Sequence, residues 1–195
     1  MDSVADERDG PVKRKNLRFE VARELFDALP QIEDDMKARP AEQDSIPFVE
    51  ELAHSPTPEE AITFCAYVLP RRFAVWWGHE CLRSRAALLT AADEELLELA
   101  AAWVANPDED SRYAALDRAM DGSPMTCGSW IAVAAGWSGG SMVGPDLPPV
   151  PPAPHMTARA VNAGILTLLA QIEVAERVDT LRRFVRMAVM LTEDA

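Results

Sequence analysis

His79, Glu80 and Cys81 are side-chain types from which a nucleophile, a general base and an orienting carboxylate can be assembled. They lie in the stretch RRFAVWWGHECLR, residues 71–83, directly after two tryptophans and between arginines. The spacing argues against a shared reaction centre. On a helix, residues two apart point about 200° away from each other. His79 and Cys81 therefore cannot easily meet on one substrate atom or one metal ion. An enzyme built on Glu80, His79 or Cys81 is the least favoured of three functional readings.

The remaining chemistry-bearing residues are scattered. His54 and His155 stand alone, and neither the zinc deaminase pattern nor His-Glu-x-x-His is present. Ser138-Gly139-Gly140-Ser141 lacks the Gly-Lys-Ser/Thr ending of a phosphate loop and follows no strand pattern. Of the three cysteines, Cys65 and Cys81 fall on apolar helical faces, where an inert core thiol is the ordinary case. No catalytic, cofactor-binding or metal-ligating residue is expected.

The same stretch reads better as structure. Projected at 3.6 residues per turn, residues 71–89 put Phe73, Trp76, Trp77 and Cys81 on one side and Val75, Leu82 and Leu89 on the other. A helix apolar on two sides sits between neighbours, and Gly78 would mark a close backbone approach. Glu80 projects toward the tryptophans and needs an arginine or backbone donors to offset its burial. The expected core is Phe73, Trp76, Trp77, Glu80, Trp103, Trp130 and Trp137. Arg72, His79 and Arg83 share a polar stripe, the candidate surface for a carboxylate-bearing partner.

Composition bounds the rest. The 195 residues are 48% hydrophobic and 26% charged, ordinary for one globular domain. A formal net charge of −13 disfavours nucleic acid. The positive residues cluster nonetheless, as Arg71, Arg72, Arg83 and Arg85, and as Arg177, Arg182, Arg183 and Arg186. Three cysteines make no disulfide framework, the N-terminus lacks a signal-peptide core, and no apolar tract could span a bilayer. A cytoplasmic protein without membrane insertion is expected.

Apolar residues recur at helical spacing and no segment alternates as a strand does. The fold expected is all-α, one helical domain of about seven to eight helices packed as antiparallel hairpins. Residues 1–15 form a loose tail and 16–195 the domain. Helices are predicted over 17–29, 57–69, 70–89, 93–105, 108–120, 123–138, 157–172 and 178–191, with a short helical segment around 46–53. Thr57 and Glu60 make a capping-box pattern, and Thr157 a cap. A proline-rich loop over 139–156, with six prolines between Pro145 and Pro154, precedes the last two helices.

Leu69 to Trp77 (Leu-Pro-Arg-Arg-x-x-Val-Trp-Trp), the Trp-Ser-Gly-Gly-Ser element at 137–141 and the proline-rich loop resemble an uncharacterised bacterial all-helical family. The resemblance covers roughly residues 17–191. It implies no activity, but it implies occurrence near type VI secretion gene clusters. The leading reading is a non-enzymatic bacterial cytosolic interaction module, an adaptor or chaperone for a secreted effector. The alternative is an immunity or inhibitor protein that covers a basic toxin. In either case the expected partner is another protein.

Overall fold

The computed structural model describes residues 14–144 and 146–193; residues 1–13 of the expected tail lie outside the described residues. The described residues form α1 (Ala22–Ala28), α2 (Ile32–Asp35), α3 (Ser45–Ala53), α4 (Glu59–Val68), α5 (Arg71–Arg83), α6 (Ala91–Ala105), α7 (Glu109–Met120), α8 (Cys127–Gly136), α9 (Met156–Ala170) and α10 (Val174–Thr192). Among them there is no strand, only an isolated bridge between Val21 and Asp44. The all-α reading holds, with ten helices among the described residues, close to the seven or eight expected.

Packing is densest around α8, which lies against α9, α7 and α6, while α5 runs beside α9, α6 and α8. In α8 every residue except Trp130 is buried, as expected of a helix with neighbours on all sides. The most enclosed helix is thus α8 rather than α5. In α5, Gly78 is the point of close approach, though side chains come near rather than another backbone. A β-carbon there would lie 2.7 Å from Ile131 Cδ1 and 3.3 Å from Val161 Cγ1.

Helix ends depart from the sequence reading where a backbone group finds a partner far along the chain. Residues 17–20 are not helical. The Arg18 amide donates to the Val68 carbonyl (2.9 Å) and its guanidinium to the Tyr67 carbonyl (3.1 Å), closing the C-terminus of α4. Glu60 does not complete a capping box. Its carboxylate accepts the amides of Lys37 (2.8 Å) and Ala38 (3.0 Å), a link of higher sequence separation. Thr157 is no cap either, since its hydroxyl donates to the Trp137 carbonyl at 2.9 Å. The helix predicted over 70–89 stops at Arg83 and gives way to a single 3-10 turn over Ala86–Leu88.

A reciprocal capping box does form at Thr90 and Asp93, at the start of α6. The second oxygen of Asp93 accepts the Gly128 amide at 3.0 Å, in the first turn of α8. One buried carboxylate therefore satisfies orphan donors at two helix N-termini. Beyond α8 the proline-rich loop closes on itself. Met142 donates its amide to the Val150 carbonyl (2.8 Å), and Ser141 Oγ accepts the Val150 amide at 3.1 Å.

Candidate functional site

Pro70 ends α4 and releases the chain into α5, whose first turn carries Arg71, Arg72 and Phe73. The two arginines diverge. Arg71 donates to the Ser138 carbonyl at 3.0 Å, beyond the end of α8. Arg72 Nε donates to the Val104 carbonyl at 2.7 Å, with a second guanidinium nitrogen 3.4 Å from the Ala105 carbonyl. Both cations thus sit at carbonyl ends of neighbouring helices, where a positive charge is favoured.

Between α5 and the end of α6 lies a groove of about 370 Å³. Phe73 and Trp76 form one wall, Ala101, Val104 and Ala105 the other, and Arg72 lines the groove beside them. Trp76 was expected in the core and is only partly buried. The correction follows from the wall opposite: α6 offers alanines and one valine here, too short to cover an indole. Trp77, one residue on, is fully buried and donates its indole N–H to the Phe184 carbonyl at 2.8 Å.

His79 is also placed differently from the expected stripe. It is buried, and its ring stacks on Trp76 with centroids 4.9 Å apart and planes 12° from parallel. Its Nδ1 lies 2.9 Å from Glu80 Oε1. Burial lowers the imidazole pKa below its usual value; the hydrogen bond and charge of Glu80 oppose that shift, and Arg83 adds to it. Glu80 is half-exposed, with the His79 ring as its hydrogen-bond partner in place of the expected arginine or backbone donors. Its side chain lies toward the edge of α5, where water offsets most of the desolvation. Arg83 is exposed, so Arg72, His79 and Arg83 do not form one open strip.

Phe73, Trp130 and Trp137 pack against the core while partly exposed, and Trp103 is buried at 6% exposure. The thiol of Cys81 is fully buried. Burial raises its pKa well above the usual value, with Cys65 and Glu80 adding to the effect. No group of three or more histidine, cysteine or acidic side chains is placed to hold a metal among the described residues. Among them, too, no helix is long and apolar enough to cross a membrane.

The α6 wall of the groove was not legible in the sequence. Alanine at 101 and 105 reads as helix propensity, and only the docking of α6 on α5 makes those positions a surface.

The model of DUF6931, a family of unknown function, matches residues 48–192. The chain belongs to that family. The DUF6931 match runs from α3 into α10 and takes in both walls of the groove, the Trp-Ser-Gly-Gly-Ser turn and the proline-rich loop. No curated protein and no solved structure matches this DUF6931 chain.

Proposed function

We propose that this DUF6931 chain is a protein-interaction module of the bacterial cytosol, an adaptor or chaperone for a secreted effector in type VI secretion. The observation that carries the interaction reading is Trp76. It is a tryptophan partly open to solvent, braced by His79 and set beside Phe73 in a groove that Arg72 also lines. Tryptophan in a pocket beside a cation is a common form of binding hot spot. The ligand that suits it is an apolar side chain of a partner protein with a carboxylate next to it, the apolar group between Phe73 and Val104 and the carboxylate toward Arg72. The secretion context rests on the resemblance of the Leu69–Trp77 and 137–141 elements.

A non-enzymatic reading is supported by the burial of Cys81 and by the pairing of His79 with Glu80 beneath the Trp76 ring. The alternative of an immunity protein is favoured by one observation, the formal charge of −13, which would speed association with a basic toxin.

The test is quantitative co-purification from native cells of the tagged wild type and Trp76→Ala, with a thermal melt of each. A partner held by wild type and lost from a Trp76→Ala protein of near-wild-type stability supports the proposal. Equal recovery by both proteins, or recovery of the chain alone at native abundance, overturns it. A basic toxin as the retained protein would favour the immunity reading over the adaptor.

A further inference from the structure

A second groove, of about 540 Å³, lies between the end of α3 and the C-terminal half of α10. It shares no residue with the Trp76 groove. We propose that it takes a helical segment of a partner protein carrying two carboxylates one turn apart beside an apolar side chain.

The residues of α10 are arranged in two rows. Val185 and Val189 are four apart and line the groove together with Ala53 of α3. Arg182 and Arg186 are also four apart and run alongside, and Met190 continues that row. Met190 is 67% exposed, an apolar side chain left in water beside the buried Val185. Arg182 is held in place, since its Nε donates to the Ala53 carbonyl at 3.2 Å. Arg186 is exposed.

Charge and spacing together select the occupant. The chain carries −13 overall, while this groove sets the Arg182–Arg186 row of α10 against Glu50 and Glu193 at its margins. Four residues of helix rise about 6 Å, so carboxylates at i and i+4 on a docked helix match the separation of the arginines. The face between those carboxylates then meets the valine row and covers Met190. Glu50 and Glu193 also line the groove and would repel further acidic residues. The complementary segment is therefore one acidic pair with apolar neighbours rather than a uniformly acidic tail. Long-range attraction contributes little for an acidic chain, so recognition depends on close contact.

The probe is a synthetic amphipathic helical peptide with glutamates at i and i+4 and leucines on the same face. A twin carries lysines in place of the glutamates. Binding to the full chain is followed by amide chemical shifts, for wild type, Arg186→Glu and Met190→Glu. Both substituted side chains are exposed, so neither variant should lose the fold, and a melt checks this.

The expected result is saturable shifts centred on Val185, Val189 and Met190 with the glutamate peptide. Its Kd should rise about tenfold in each variant, the scale of one charge or apolar contact. The lysine twin should prefer Arg186→Glu to wild type. Shifts centred elsewhere, equal binding of both peptides, or no saturable shift would overturn the proposal. So would a concentration-dependent dimer in sedimentation that Met190→Glu disperses, because the occupant would then be a second copy. Trp76→Ala, run in parallel, should leave these shifts intact, which keeps the two grooves separable.

Discussion

The indole N–H of Trp77 donates to the main-chain carbonyl of Phe184 at 2.8 Å, across 107 residues of sequence and in full burial. It ties α5 to α10 with a contact that is both apolar and directional. Its neighbour Trp76 makes no such link and faces a groove, so two adjacent tryptophans have different consequences when removed.

Trp77→Ala should destabilise the fold by about 3–5 kcal/mol, the scale for emptying a buried aromatic site. Trp77→Phe keeps most of the volume and loses the donor, at about 1–2 kcal/mol. Trp76→Ala should cost less than Trp77→Ala, because water already reaches the ring. Denaturant melts of the three variants check the order. A Trp76→Ala loss equal to that of Trp77→Ala would mean that the groove is part of the core.

Gly128→Ala tests the joint between α6 and α8. A β-carbon at 128 would lie 2.8 Å from Asp93 Cα and 2.9 Å from its carbonyl oxygen, so backbone would have to move. The expected loss is about 1–3 kcal/mol, the range for overpacking, and more if the Asp93–Gly128 hydrogen bond breaks. Gly139→Ala is the control, since a β-carbon there meets nothing within 4 Å. Thermal melts should show the first variant shifted down and the second near wild type.

His79 should titrate below the ordinary histidine value of about 6.5 in the folded chain. As pH falls through that value, the unfolded chain takes the proton first, so the buried neutral ring lowers stability there. Above it the ring is neutral in both states and contributes no pH dependence. Glu80→Gln removes the group that opposes the effect of burial, and should move the titration lower still. Ring-proton shifts followed against pH check both statements. A His79 titration at or above the usual value would show that Glu80 outweighs burial.

The helical class was readable because burial imposes apolar spacing of 3.6 on a helix with one covered face, as in α10, where Leu181, Phe184, Val185 and Ala188 are buried. The helix ends were less readable, for a reason visible at Arg18, Glu60 and Thr157. Glu60 and Thr157 have side chains that could cap locally and Arg18 falls in an apolar-spaced run, yet each instead bonds to backbone distant in sequence. Nothing in a local window reports such a partner. Trp76 failed for a related cause. The projection placed it correctly on a face of α5, but whether that face is covered depends on the size of side chains in α6. The sequence clusters of arginine are also largely split in the fold, although Arg182 and Arg186 still line one groove. Arg71, Arg72 and Arg182 go to carbonyls of three different segments, and Arg177 to those of Ala170 and Ile172.

The divergence of Arg71 and Arg72 bears on what can vary in this family. Both arginines grip main-chain carbonyls, at Ser138 and Val104, rather than side chains. A carbonyl is present whatever residue occupies the position. These two hydrogen bonds are therefore indifferent to the side chains at 104, 105 and 138, provided the backbone keeps its course. Substitutions along the α6 wall would recut the groove beside Trp76 and leave both arginine anchors in place. The surface of the groove and the hydrogen bonds that seat α5 are thus set by different atoms, one by side chains and the other by main chain.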